Sequence, residues 1–143
     1  MGTCQIVNVL EPGAGLNESR PAFPKYIASL RRAVVEFAAD AGADDLQQEN
    51  IGLATSEAVS NSVVHAYPDD SVRGDVSVEA WIERGRIFVI VSDDGCGMIP
   101  RSHSPGLGLG LPMIARVSES VEIGERSPRP GVCVRMTFPL RDH

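Results

Sequence analysis

Apolar residues recur along this chain of 143 residues with two different periods, and the change from one to the other divides it. From Pro24 to about Ala41 they return at helical intervals (Ile27, Leu30, Val34, Phe37, Ala38), and Gly42 supplies a stop. That pattern predicts a first amphipathic helix whose Arg31, Arg32 and Glu36 face water or a partner. A second helix is predicted from about Asp45 to Ala66, closed by Pro68-Asp69-Asp70. On it Asn50, Glu57, Asn61 and His65 share one narrow stripe, being spaced seven, four and four residues apart. Ile51, Ala58, Val59 and Val63 flank the stripe on one side and Leu53 and Val64 on the other. A polar line between two apolar walls reads as the floor of a pocket.

Beyond this helix the period shortens to two. Asp75 to Ile82 alternates Val76, Val78, Ala80 and Ile82 with Ser77, Glu79, Trp81 and Glu83, the signature of a half-buried strand. Glu83-Arg84-Gly85-Arg86 reads as a hairpin turn into Ile87-Phe88-Val89-Ile90-Val91, a strand that delivers Asp93 to the end of the sheet. A short helix is predicted from Pro112 to about Ser118, followed by strands at Ser120 to Ile123 and Val132 to Phe138. Near the N-terminus, Gln5 to Leu10 is β-like and is followed by Pro12-Gly13-Ala14-Gly15. Residues 1–15 are therefore expected to form an arm or an edge strand, and residues 16–143 one domain. The order of elements predicts an α+β two-layer sandwich: a mainly antiparallel mixed sheet covered on one face by helices.

Composition narrows the functional classes. The length suits one domain that buries roughly two thirds of the surface its unfolded chain would expose. A net charge of −6 argues against bulk attraction to nucleic acid. No apolar run approaches the ~20 residues of a membrane helix. Cys4, Cys96 and Cys133 are odd in number and widely separated, show no metal-ligand pairing, and follow no signal-peptide pattern at Met1 to Gln5. That usage reads as a reduced, cytoplasmic protein. Lys25 is the single lysine, so any chemistry requiring one has one candidate.

Three motifs carry chemistry. In Asp93-x-Gly95-x-Gly97 a carboxylate at a strand end can accept a hydrogen bond from the exocyclic amine of adenine, where guanine offers a carbonyl. Gly95 and Gly97 permit positive φ or close approach to a flat ring. By itself the pattern also describes an ordinary Asp-Gly turn. Gly106-Leu107-Gly108-Leu109-Gly110 precedes a predicted helix, whose free amides and dipole suit phosphate oxygens. It lacks the Walker spacing and the βαβ setting of a dinucleotide fingerprint, and alone it also fits a plain glycine loop. Glu57 and Asn61, one helical turn apart, reach the same point: the amide oxygen of Asn61 suits Mg²⁺, and Glu57 is free to act as a base toward a hydroxyl or water attacking a γ-phosphate. A capping or solvated pair is the plainer reading, and His65 reads as structural.

The run Ser56-Glu57-Ala58-Val59-Ser60-Asn61-Ser62-Val63-Val64-His65-Ala66-Tyr67 resembles the N box of the GHKL superfamily with its Bergerat ATP-binding fold. Asp93 to Gly97 resembles its first glycine box and Gly106 to Gly110 its second. Within that superfamily the wording is similar to the anti-sigma-factor serine/threonine kinases of bacteria, over about residues 17–140. The resemblance implies that Asp93 binds adenine, Asn61 binds Mg²⁺, and Glu57 is the catalytic base. It further implies that Gly95, Gly97, Gly106, Leu107, Gly108, Leu109 and Gly110 shape the nucleotide loops. The segment between the glycine boxes, Met98 to Pro105, is short for the superfamily, and Arg101 and His103 are its charged or titratable residues available to cover the phosphates. The implied function is phosphorylation of a small anti-anti-sigma protein and sequestration of a sigma factor in a partner switch, with ATP and Mg²⁺ as cofactors and a homodimer as assembly. The alternative is a catalytically inactive regulator that binds proteins under ATP control. A histidine-kinase catalytic half and a gyrase-like or chaperone-like ATPase are disfavoured, since neither a phosphoacceptor helix pair nor a transducer domain is expected.

Overall fold

The computed structural model describes residues 15–65, 74–95, 110–125 and 131–140. Its elements are β1 (Gly15–Pro21), α1 (Ile27–Asp40), α2 (Asp45–His65), β2 (Asp75–Glu83), β3 (Arg86–Asp93), α3 (Gly110–Val117), β4 (Ser120–Glu125) and β5 (Val132–Pro139), with a 3-10 turn at Pro24–Tyr26 leading into α1. The strands form one five-stranded sheet in the order β1-β2-β3-β5-β4. Every described pairing is antiparallel.

Local chemistry accounts for the boundaries. Gly42 adopts φ 101° just past α1. The Ala43 N–H donates to Ala38 O and the Gly42 N–H to Ala39 O, both at 3.0 Å, which satisfies carbonyls the helix end would leave open. Asp44 caps α2 reciprocally: its Oδ1 accepts from the Gln47 N–H and its own N–H donates to Gln47 Oε1, each at 2.8 Å. Gln47 Nε2 also donates to Pro139 O at 2.8 Å, fastening the start of α2 to the end of β5. The β2–β3 hairpin turns on Arg84 and Gly85 at φ 53° and 74°, two positive values in succession, as a tight two-residue hairpin requires.

Alternation sorts each strand between two faces. Val76, Val78 and Ala80, Ile87, Val89 and Val91, and Val134, Met136 and Phe138 face the helices and pack with Leu30, Val34, Ala38, Ile51, Ala58, Val59 and Ile114 into the main core. The opposite face carries a smaller cluster of Trp81, Ile90 and Cys133 with Phe88 against it. There the Trp81 and Phe88 rings stack with centroids 5.2 Å apart, and the Arg135 guanidinium lies over both.

The expected helices and hairpins are present within one to three residues of their predicted ends, the first helix entering through the 3-10 turn at Pro24–Tyr26. β1 differs from expectation: it pairs along β2 from Gly15↔Trp81 to Pro21↔Asp75, yet the sequence reading passed over it. Its residues GLNESRP carry one large apolar side chain, Leu16, so no alternation marks them; the backbone ladder makes this strand. The β-like run Gln5 to Leu10 lies outside the described residues. The reading of all cysteines as reduced is corrected by Cys133, which is disulfide-bonded.

Candidate nucleotide site

Burial of a carboxylate costs free energy unless donors surround it, and at the end of β3 the chain supplies them. Asp93 is 2% exposed. Its Oδ1 accepts from the Gly95 N–H at 3.0 Å and from the Val132 N–H at 3.2 Å. The Ser62 hydroxyl of α2 adds a side-chain hydrogen bond to the same carboxylate. Desolvation dominates and pushes the Asp93 carboxyl above its ordinary value; the Gly95, Ser62 and Val132 donors pull it back, and the neighbouring charge of Asp94 adds a smaller upward push.

The Gly95 contact is an Asx-type turn, so the plain reading of Asp-x-Gly is locally true. Val132 and Ser62 take the site beyond a turn, because they fix one carboxylate from two other elements. Gly131 makes the first of these contacts possible. It has φ 132°, and a Cβ there would fall well inside van der Waals contact of the Asp93 carbonyl oxygen. Among the described glycines those with positive φ are Gly42, Gly85 and Gly131; Gly97, the other glycine of the first box, lies outside the described residues. Asp94 works in the same frame: its Oδ1 accepts from the Asp75 N–H at 3.0 Å, and Gly74 leaves it room.

On α2 the expected stripe is visible with one difference. Asn61 is buried at 7% exposure, while Asn50 and Glu57 are partly exposed. Ile51, Ala58, Val59 and Val63 form the buried wall on one side, but Leu53 and Val64 are 42% and 60% exposed, so the expected second wall is open to solvent. Asn61 Nδ2 is buried without a hydrogen-bond partner among the described residues. Half a turn of the planar amide exchanges Nδ2 and Oδ1, so this side chain can present a carbonyl oxygen to a cation or amide hydrogens to a phosphate oxygen. Such an orphaned amide fits a ligand-binding role, since leaving it unpaired costs about 1–3 kcal/mol. Because Ser62 follows Asn61 and bonds Asp93, the second half of α2 and the end of β3 are joined directly.

Asn61 thus precedes on α2 the Ser62 that bonds Asp93, with Glu57 one turn back on the same helix and Gly95 closing the Asp93 turn. Gly110 begins α3, which packs against α2. Gly97, Arg101, Gly106, Leu107, Gly108 and Leu109 lie outside the described residues, as does the His65 side chain. Ser62, Gly131 and Val132 were not singled out by sequence reasoning. Ser62 carried a signal, its place beside Asn61; the approach of Val132 depends on strand order and left none.

A second feature lies between α1 and the first half of α2. A cavity of about 480 Å³ is lined by Arg31, Arg32, Glu36, Glu49, Gly52 and Leu53 among others. Gly52 lets the helices close there: a Cβ would meet Val35 Cγ2 at 3.2 Å. Both arginines are exposed, and neither forms an ion pair among the described residues.

An antiparallel sheet backed by helices, with a buried strand-end carboxylate held in part from the helix that carries Glu57 and Asn61, is the frame of an α+β domain. The profile of the histidine kinase-like ATPase domain matches residues 20–138, and the chain belongs to that family of ATP-using domains. It is 32% identical over 133 residues to the serine-protein kinase RsbW of Bacillus subtilis, covering 82% of this chain and 80% of that one. It is 33% identical to RsbW of Bacillus velezensis with the same coverage. Among solved structures, the RsbU and RsbW domains of Rv1364c from Mycobacterium tuberculosis match with a TM-score of 0.70 and 25% identity, over 90% of this chain and 33% of that one. The histidine kinase domain of the blue-light activated kinase of Erythrobacter litoralis EL346 shares the fold, with a TM-score of 0.52 at 23% identity over 84% of this chain and 61% of that one.

Proposed function

We propose that this protein is an ATP-dependent serine/threonine protein kinase that acts as an anti-sigma factor, phosphorylating an anti-anti-sigma protein and sequestering a sigma factor in a partner switch. The observation that carries the reading is the Asp93 carboxylate, buried and held from α2 and the start of β5, with Asn61 Nδ2 on α2 buried and without a hydrogen-bond partner among the described residues. The similarity to RsbW serine-protein kinases over most of both chains supports the protein-kinase class.

In this reading Asp93 accepts from the adenine amine, with Gly95 and Gly97 beside it, and Asn61 presents its amide oxygen to Mg²⁺. Gly106, Leu107, Gly108, Leu109 and Gly110 offer backbone N–H groups to the phosphates at the start of α3, and Arg101 adds positive charge over them. ATP supplies the γ-phosphoryl group. Glu57 accepts the proton of the acceptor hydroxyl as that oxygen bonds to phosphorus and the bond to the β-phosphate oxygen breaks, releasing ADP. The α1–α2 cavity, whose Arg31 and Arg32 form no ion pair among the described residues, offers a face for a protein partner bearing carboxylates. Homodimerisation and a cytoplasmic location complete the proposal; among the described residues no helix is long and apolar enough to cross a membrane.

The test is incubation with ATP and Mg²⁺ in the presence of proteins captured by this chain with and without nucleotide, followed by phosphopeptide mapping. Phosphate on a serine or threonine of a captured protein, lost in Glu57→Ala, supports the kinase. ATP-dependent capture without transfer would leave a binding regulator in its place.

A further inference from the structure

We propose that the sheet face turned away from the helices is a docking surface for this chain's own N-terminal segment, with Gln5 to Leu10 laid over Trp81, Phe88 and Ile90 and Cys4 joined to Cys133. This placement does not depend on the nucleotide reading.

An antiparallel sheet with helices on one side commonly leaves its other side to water. Here the outward side chains are buried. On β3, Ile90 and Ser92 are 1% and 2% exposed, Cys133 on β5 is 0% exposed, and Glu79, Trp81 and Thr137 are buried as well. The described helices do not account for this, because their buried side chains pack with the inward residues of the strands. The outer cluster of Trp81, Ile90, Cys133 and Phe88 holds no helix residue.

Topology narrows the source of the cover. The buried surface runs from the Trp81–Phe88 row to the Ser92–Cys133 row, ~13 Å along the strands. Segments 66–73, 96–109 and 126–130 join the described elements at the Asp93 end, where β2 and β5 begin and β3 and β4 stop. Trp81 lies at the opposite end, where the chain enters the sheet with Gly15 paired to Trp81. Residues 141–143 leave at that end too, but Arg141, Asp142 and His143 offer no apolar side chain. Residues 1–14, outside the described residues, precede Gly15 and bring Ile6, Val7, Val9 and Leu10. Laying that run on the aromatic cluster removes apolar surface of both from water.

The disulfide is a second, independent observation. Cys133 is disulfide-bonded, and the other cysteines of the sequence are Cys4 and Cys96. Cys133 stands opposite Ser92 on the outer face. Gly95, the residue before Cys96, is drawn to the other side: its N–H donates to Asp93 Oδ1, and Asp93 continues the inward series of Val89 and Val91. That favours Cys4 as the partner. From β1 to β5 is three strand spacings, ~14 Å, and the chain from Cys4 to Gly15 extends to ~36 Å, so the reach is ample. The anchor adjoins Val132, whose N–H holds Asp93, so the segment is fastened beside the base of the candidate site.

Two measurements on the full chain test the placement. Peptide mapping of the non-reduced wild-type protein should recover Cys4 and Cys133 in one cross-linked pair within a single chain; Cys96 linked to Cys133 would overturn it. Trp81, the single tryptophan, reports the cover directly. Its emission in wild type should resist quenching by acrylamide, whereas Ile6→Asp combined with Val9→Asp should shift the emission to longer wavelength and raise the quenching constant while far-UV circular dichroism stays unchanged. Unchanged emission and quenching in the folded double variant would overturn the proposal. So would wild-type quenching that rises on dilution together with a Cys133 bond between chains, which would assign the face to a second copy. If the double variant does not fold, the wild-type cross-link decides alone.

Discussion

Val132 N–H donates to Asp93 Oδ1 at 3.2 Å across a sequence separation of 39 residues, a buried bond that ties the start of β5 to the end of β3. The carboxylate proposed to recognise the base is thereby fixed from the sheet as well as by its own turn. A fixed acceptor needs no reorganisation when a ligand arrives, which favours specificity.

Asp93→Asn keeps an Oδ1 acceptor for the two backbone donors and removes the charge that burial penalises. The Asp93 carboxyl is raised, so in wild type this group's contribution to stability is fully present below the ordinary carboxylate value and is lost as pH rises through the folded-state value. The nucleotide-free Asn variant should therefore unfold at or above the wild-type temperature at neutral pH and show a flatter pH dependence. Its ATP affinity should weaken by about 1–3 kcal/mol, through loss of a charge-assisted hydrogen bond. Equal ATP and GTP affinities in wild type would remove Asp93 from the role of base selector.

Glu57 and Asn61 share α2 but differ in burial, and their variants should separate chemistry from binding. Glu57→Ala is expected to hold nucleotide affinity near wild type while phosphoryl transfer drops by ~10²–10⁴. Asn61→Ala should weaken the Mg²⁺-dependent component of binding and transfer together. Single-turnover transfer with and without Mg²⁺ measures both, and wild-type rates in both variants would remove the N box from catalysis.

Gly131→Ala tests the backbone crossing over Asp93. Positive φ and the nearby Asp93 carbonyl oxygen both oppose a side chain there, so the substitution should cost ~1–3 kcal/mol or more of stability. ATP affinity should fall with it, since the Val132 donor moves. A variant with unchanged unfolding temperature and affinity would show that the crossing relaxes without consequence.

Arg31→Glu combined with Arg32→Glu reverses the charge at the α1–α2 cavity. Both side chains are exposed and remote from the second half of α2, so unfolding temperature and ATP affinity should be close to wild type while partner binding is lost. Partner titration decides it: unchanged partner affinity excludes this face from the interface.

The helices and hairpins were legible because their apolar residues repeat with the period of the element they build, as in Leu30, Val34 and Ala38 on α1 or Val76, Val78 and Ala80 on β2. β1 was not, because an edge strand with one large apolar residue is held by a ladder to β2 that its own composition does not announce. The apolar flank of Leu53 and Val64 misled for a related reason: periodicity places residues on a side of a helix without saying what packs there. Asp93 and Asn61 were readable as motif residues. Two of the donors that hold Asp93 were not, since Val132 arrives through strand order and Ser62 depends on how α2 meets the sheet.

Trp81 is the single tryptophan of the chain, and it stacks on Phe88 on the sheet face turned away from the helices. Phe88 lies five residues before Asp93 on β3, ~17 Å along an extended strand. Intrinsic fluorescence therefore follows the cohesion of the outer sheet face, a faithful signal for unfolding experiments and a poor one for ligand occupancy. Watching the base arrive calls for a dye carried by the nucleotide, and the two colours can then be followed in one cuvette without confusing a loosened protein with an empty one.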